Sequence, residues 1–175
     1  MAEGFEEMAW RWKWDGFPGV RRNLPQPNWN GEDLKGKKVF LHPEQGLGDT
    51  IQFMRYAPIV KQLADYVYLE LPQAIVPLAQ KQVLADEIIN QGDTLPEFDF
   101  HAPFMDLPRI LGTTRETIPA DGPYLLVDPK LRQNWRNWKQ QYSGTKIGLN
   151  WNGNPANPAE RFRKILPENL TPLSD

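Results

Sequence analysis

The stretch KVFLHPEQGLGDTIQFM, residues 38–54, decides the fold. Its first five residues are a short apolar run after Gly36 and Lys37, which is typical of a buried parallel strand. From Asp49 onward, apolar residues recur at the period of a helix of roughly four turns, and Pro58 is expected to kink that helix. The stretch therefore predicts a strand, a loop that contains glycine, and a helix.

The same alternation continues along the chain. Further strands are predicted at 66–71, 87–89, 98–101, 124–127 and 146–151, and further helices at 73–82, 104–111 and 130–142. A short helix at 3–14 and an extended surface linker at 15–36, rich in glycine and proline, precede them. The alternation predicts an α/β domain with a Rossmann-like parallel sheet flanked by helices.

Composition excludes several functional classes. The 175 residues suit one globular domain, and the 20 basic and 22 acidic residues are mixed along the chain, so nucleic acid is not an expected partner. Cysteine is absent, and no apolar stretch approaches the ~20 residues that span a bilayer. The N-terminus does not have the pattern of a signal peptide. These features predict a cytoplasmic protein without a membrane span, and two isolated histidines predict no metal site.

Polar residues follow the predicted strands, where ligands bind in an open parallel sheet. The substrate-binding candidates are His42, Gln45, Gly46, Gly48, His101, Asn152 and Asn154. A dinucleotide-binding loop would read G-x-G-x-x-G, but Ile51 occupies the third glycine position. No nicotinamide cofactor is therefore expected.

The residues alone leave two interpretations of Asp49 open. With Gln52 three residues later, Asp49 resembles the N-cap of a helix. Its carboxylate could equally accept a proton from a sugar hydroxyl. His42 and His101 are open in the same way, because a strand-end imidazole is often satisfied by a backbone carbonyl. The basic cluster Arg161, Arg163 and Lys164 fits either an anion site or a solvated loop.

Four segments resemble a known group of proteins. They are HPEQGLGDTIQFMRYAP (42–58), FDFHAP (98–103), LGTT (111–114) and GLNWNGNP (148–155). They resemble the catalytic region of bacterial tetratricopeptide-repeat proteins. That region is similar to the ADP-heptose:lipopolysaccharide heptosyltransferases, family 9 glycosyltransferases of GT-B fold. The resemblance covers 5–172, and Gly48, Asp49 and Pro58 match the family's G-D with proline nine residues later.

The resemblance implies a domain plan and a reaction. Residues 1–14 would be the last helix of a tetratricopeptide-like repeat, 15–36 a linker, 37–144 the acceptor domain, and 145–175 the truncated start of the donor domain. The chain would be the N-terminal acceptor half of a GT-B inverting glycosyltransferase, inactive alone. Asp49 would be the general base, and Arg161, Arg163 and Lys164 would bind donor phosphates. The implied partners are a nucleotide-sugar donor and a sugar or protein acceptor, with no cofactor.

The alternative function is a non-catalytic module that binds protein or carbohydrate. In that case Trp10 and Trp12 of the repeat-like helix would dock a protein partner. A third hypothesis, a Rossmann domain that binds a nicotinamide cofactor, is disfavoured by the missing third glycine.

Overall fold

A parallel sheet near the start of the chain organises the fold. A computed structural model of the protein describes residues 1–17, 19, 21–120, 122–150, 153, 162 and 165–173. The chain divides into two compact units, Met1–Asp128 and Pro129–Asp175. The sheet and both candidate cavities belong to the first unit.

The sheet of the described residues has four parallel strands in the order β3-β2-β1-β4. The strands are β1 (Lys38–His42), β2 (Tyr66–Leu71), β3 (Glu87–Asn90) and β4 (Phe100–Pro103). In the central strand β1, Val39 is aligned with Val67 of β2 on one side and with Phe100 of β4 on the other. The structure thus has the predicted α/β architecture, in which a Rossmann-like parallel sheet is flanked by helices.

Short helices connect and precede the strands. They are α1 (Ala2–Met8), α2 (Leu47–Phe53), α3 (Ala57–Leu63), α4 (Val76–Ala79), α5 (Leu107–Ile110) and α6 (Pro129–Gln140). 3-10 turns lie at Ala9–Lys13, Met54–Tyr56, Phe104–Asp106 and Pro167–Leu173. The predicted helix at 73–82 is reduced to the single turn of α4.

Pro58 explains why the predicted four-turn helix is divided into α2 and α3. A proline ring clashes with the carbonyl four residues earlier, here that of Met54, and removes one hydrogen bond. The 3-10 turn Met54–Tyr56 lies at that point, and Pro58 occupies the first turn of α3, where proline is tolerated. The predicted kink is confirmed.

The two faces of the sheet are covered differently, because successive strand side chains point to opposite sides. Val39 and Leu41 of β1 face the larger apolar core, which α2 to α5 close with Phe53, Val60 and Leu107. The other face carries Phe40, Tyr68, Ile89 and Phe98, with Leu24 and Leu95 packed against them. Extended segments cover this second face.

The segment 15–36 belongs to the folded core in part, which differs from a linker that lies wholly on the surface. The Trp29 N–H donates to the His101 carbonyl at 2.8 Å, and the His101 N–H donates to the Pro27 carbonyl at 3.1 Å. Trp29 and Leu34 are buried. The sequence did not predict this burial, because the prolines of the segment interrupt the regular spacing of apolar residues that marks a buried helix or strand.

Two predicted strands are wrong, and one is displaced. Residues 124–127 form no strand, because Tyr124 packs against the larger core instead of pairing with the sheet. Residues 146–150 of the predicted strand 146–151 are exposed and irregular, and Trp151 lies outside the described residues. Strand β4 begins at Phe100, whereas the prediction began it at Phe98, because Phe98 stacks on Phe40 from the loop, with ring centroids 5.0 Å apart.

Tyr124 offers a test of how the segment after α5 is attached. Its hydroxyl donates to the Ile51 carbonyl of α2 at 2.5 Å, and Arg55 lies 4.8 Å from the centre of its ring. Tyr124→Phe is expected to lower the free energy of unfolding by about 1 kcal/mol, because one hydrogen bond is lost and the ring is kept. Urea unfolding measures the change. Tyr142→Phe, at an exposed tyrosine, is the control. Equal losses of stability in the two variants would mean that the Tyr124 hydroxyl does not hold this segment on α2.

The second unit contains α6 and the 3-10 turn Pro167–Leu173. The ring centroid of Trp138 lies 5.4 Å from that of Trp135 and 5.0 Å from that of Tyr142, and all three side chains are exposed.

Candidate functional site

The loop between β1 and α2 carries the strongest sequence motif. Gly46 precedes the first residue of α2, and Asp49 is the third residue of that helix. The Asp49 Oδ2 accepts the Gly46 N–H at 3.2 Å. The prediction of Asp49 as N-cap is therefore wrong in position, although its carboxylate does stabilise the start of the helix from the N3 position.

Gly48 keeps the space in front of this loop open. Neither Gly46 nor Gly48 has a positive φ, and a Cβ atom at Gly48 would meet no atom within 4 Å. Gly48 lines a cavity of about 510 Å³ together with Gln52 and Tyr124, and Met1 and Phe5 of the N-terminal segment lie on its border. A side chain at position 48 would reduce this cavity, which Gly48 lines and the next residue, Asp49, does not.

The second cluster of polar residues lies at the topological switch point of the sheet. Strands β1, β2 and β3 follow each other to one side, whereas β4 pairs with β1 on the other, and ligands of open α/β sheets bind where the order reverses. His42 ends β1, and His101 lies in the neighbouring β4. The His42 Nε2 is 3.1 Å from the His101 Nδ1, and both side chains are buried.

Burial and the charge of Arg22 favour the neutral form of both histidines. Burial lowers the pKa of His42 to about 3, against the hydrogen bond to the Pro43 carbonyl, and repulsion from Arg22 and from any proton on His101 acts in the same direction as burial. Burial also lowers the pKa of His101, again with Arg22 adding to the effect. A neutral imidazole has one N–H donor and one lone pair, and both ring nitrogens of His42 are engaged, with the Pro43 carbonyl and with His101.

A buried ion pair lies on the same face of the sheet. Arg22 Nη1 donates to Glu70 Oε2, and the Glu70 side chain is fully buried in β2. Glu70 Oε1 is buried and has no hydrogen-bond partner among the described residues. Burial raises the pKa of Glu70, and Arg22 opposes that effect.

Arg11 connects the N-terminal segment to the ends of two strands. Its Nε and Nη2 donate to the two carboxylate oxygens of Glu44 at 3.0 and 2.9 Å. Its Nη2 also donates to Asp106 Oδ1 at 2.8 Å. The side chains of Arg11 and Glu44 are only 8% and 1% exposed. The segment predicted as a repeat helix thus packs over the candidate site.

A cavity of about 240 Å³ lies at the carboxyl ends of β1 and β4. Its lining includes His42, His101, Trp12, Arg22, Asn30 and Arg109. The segment 21–30, strands β1 and β4, α5 and the 3-10 turn Ala9–Lys13 each contribute to it.

The comparison with known proteins finds one curated relative. The chain is 29% identical over 189 residues to the protein FlbA of Caulobacter vibrioides. The match covers 97% of this chain and 32% of FlbA, so the chain spans about a third of the length of the relative it matches. No family model matches the chain. No solved structure matches it.

The structure brings some predicted site residues together. Gln45, Gly46, Gly48 and Asp49 share the β1–α2 loop and the first turn of α2. His42 and His101 form the buried pair described above. The remaining predicted residues lie outside the described residues: Asn152, Asn154, Arg161, Arg163 and Lys164.

The sequence prediction missed Arg11, Arg22 and Arg109. One signal pointed to such partners: Glu70 occurs inside the apolar run YVYLEL, and a carboxylate in a buried strand requires a partner cation. The sequence could not say which arginine it was. Within the described residues, no group of three or more histidine, aspartate or glutamate side chains could hold a metal ion. No described helix is long and apolar enough to cross a membrane.

Glu44 makes a pH-dependent prediction. Burial raises its pKa from 4.5 to about 7, against the hydrogen bonds and charge of Arg11, and Asp106 and Asp49 add to the increase. The unfolded protein releases this proton at lower pH than the folded protein does. The free energy of unfolding should therefore fall as pH rises from about 5 to about 8.

Urea unfolding of the wild type and of Glu44→Gln across this pH range tests the prediction. The glutamine keeps an acceptor for Arg11 and cannot titrate, so its stability should depend less on pH. Parallel curves for the two proteins would assign the pH dependence to another group.

Proposed function

We propose that the chain is the acceptor-side domain of an inverting glycosyltransferase that uses a nucleotide-sugar donor. The observation that carries the proposal is the position of Asp49. Its carboxylate stands in the first turn of α2, one residue after Gly48, which lines the cavity of about 510 Å³. Only Oδ2 is bonded, to the Gly46 N–H; among the described residues, Oδ1 accepts no hydrogen bond.

The proposed reaction is a direct displacement. Oδ1 of Asp49 takes the proton of an acceptor hydroxyl as its oxygen attacks the anomeric carbon of the donor. The bond from that carbon to the nucleotide phosphate breaks, and the phosphate leaves with the electron pair. Attack from the opposite side inverts the anomeric configuration, and no covalent sugar-enzyme intermediate forms.

The cavity of about 510 Å³ is the proposed place of the acceptor. Its volume lies within the ~300–1,000 Å³ that is usual for small-molecule sites. Tyr124, Phe5 and Tyr56 offer ring surfaces, and Gln52 offers an amide. The four segments that resemble the heptosyltransferase-like region support the GT-B assignment, and donor binding by Arg161, Arg163 and Lys164 belongs to the same proposal.

The test is a transfer assay on the natural protein as expressed from its gene. The protein is incubated with ADP-, UDP- and GDP-sugars and candidate acceptors, and release of nucleoside diphosphate is measured with the anomeric configuration of the product. Transfer with inversion is expected. Absence of release with every donor, from protein that unfolds cooperatively, would reject the proposal.

A second candidate, a protein-binding module, is favoured by one observation. Trp10 and Trp14 are 59% and 64% exposed on the N-terminal segment. Trp12, which the sequence also suggested for docking, instead lines the cavity of about 240 Å³ and packs against Phe17. If transfer fails, loss of partner capture in Trp10→Ala would support this second function.

A further inference from the structure

The smaller cavity at the switch point has a cationic lining. Three guanidinium groups, those of Arg21, Arg22 and Arg109, and one carboxylate, that of Asp106, border its volume of about 240 Å³. Asp106 forms an ion pair with Arg11, and Arg22 forms an ion pair with Glu70. Arg21 and Arg109 form no ion pair among the described residues.

Arg109 is held in place but incompletely bonded. Its Nη2 donates to Asn30 Oδ1 at 3.3 Å. Its Nε is buried and has no acceptor among the described residues. A buried N–H without an acceptor costs free energy, and an oxyanion in the cavity would supply the acceptor.

The histidine pair lies next to the cationic lining and would respond to an anion in the cavity. His42 Nδ1 lies 3.3 Å from the Pro43 carbonyl, and His42 Nε2 lies 3.1 Å from His101 Nδ1. Both rings line the cavity, and burial and the charge of Arg22 lower the pKa of each. An adjacent negative charge would offset the charge of Arg22 and raise the pKa of the pair.

The size of the cavity limits the ligand. Its volume lies below the ~300 Å³ at which sites for drug-sized ligands begin. Trp12 and Pro103 form apolar parts of the lining, and Asn28 and Asn30 offer amides. A ligand with one ring and a single anionic group fits this volume and this lining.

We infer that this cavity binds the carboxylate or phosphate group of a small ligand through Arg109 and Arg21, next to the paired rings of His42 and His101. This anion site lies in a different cavity from the one that Gly48 lines. Anion binding there does not depend on Asp49 acting as a base. Arginine suits the role because its fork of N–H donors matches the oxygens of both groups.

The histidines provide the readout. The 175 residues contain two histidines, His42 and His101. The signal that disappears in His101→Asn belongs to His101, and the one that remains belongs to His42. The chain is labelled at histidine Cε1 and titrated with glucuronate, glucose 6-phosphate, inorganic phosphate and neutral glucose. The anionic probes are expected to shift both ring signals and to raise the pKa of the pair, whereas glucose is not.

Variants distinguish this site from general charge attraction. Arg109→Gln and the exposed Arg21→Gln are expected to weaken binding of the anions by about tenfold or more, since a charge-assisted hydrogen bond is lost. Arg132→Gln, on exposed α6, is the matched control and should leave binding unchanged. Asp49→Asn should also leave it unchanged, which separates this inference from the proposed transfer reaction.

The outcomes decide the inference and the kind of anion. Tighter binding of glucuronate assigns a carboxylate, and tighter binding of either phosphate assigns a phosphate. The inference would be overturned if glucose shifted the histidine signals as much as the anionic probes do. It would also be overturned if Arg21→Gln and Arg132→Gln weakened anion binding equally. Arg21 is exposed, so its variant tests the inference even if Arg109→Gln does not fold.

Discussion

Asp49→Asn is expected to lower the turnover of sugar transfer by about a hundredfold to ten-thousandfold, the usual contribution of a general base. The amide cannot accept the hydroxyl proton. It can still accept the Gly46 N–H, as the carboxylate does at 3.2 Å, so the start of α2 is preserved. Turnover and KM for the acceptor are measured together with thermal unfolding, and the loss should appear mainly in turnover.

Asp33→Asn is the matched control for Asp49. Asp33 is an exposed aspartate whose Oδ1 accepts the Lys35 N–H at 3.0 Å, so it has the same local hydrogen-bonding role away from the loop. Its variant should keep full activity. If Asp49→Asn retains turnover like the control, Asp49 stabilises the helix and is not the base.

Arg11→Met is expected to produce the largest loss of stability, about 3–5 kcal/mol, because it leaves Glu44 and Asp106 without their buried cation. Methionine keeps much of the side-chain packing, so the loss reports the charge. Without Arg11, burial acts on Glu44 unopposed and its pKa rises further. The folded protein then takes up a proton, and the loss should be smaller at about pH 5 than at about pH 8.

Arg132→Met provides the comparison, since Arg132 is exposed on α6 and has no hydrogen bond or ion pair among the described residues. Urea unfolding at both pH values measures the difference, and hydrogen exchange of 1–14 shows whether the N-terminal segment is released. A loss in Arg11→Met no larger than in Arg132→Met at about pH 8 would mean that the cluster contributes no net stability.

Local patterns were sufficient to predict the elements that are buried on both sides. Strands β1 and β2 have the predicted bounds, because Lys38–His42 and Tyr66–Leu71 are short, mainly apolar runs between breaks. The run at 124–127 has the same composition but no neighbouring strand to pair with. Strand pairing is a non-local property, so an apolar run alone cannot establish it.

The candidate site was predictable only where it is local. The strand, loop and helix around Asp49 lie within one stretch, and their spacing identified them. The pairing of His42 with His101 depends on β4 adding next to β1 rather than next to β3, which no spacing reveals. The contacts of Arg11 span 33 and 95 residues, so they were beyond any local pattern.

The N-terminal segment borders both cavities. Met1 and Phe5 border the cavity beside Gly48, and Ala9 and Trp12 border the cavity beside the histidines. Occupation of either cavity that favours one placement of this segment must alter the affinity of the other by the same factor, since such coupling is reciprocal. A recombinant domain trimmed to begin at the first strand would lose these parts of the lining of both cavities.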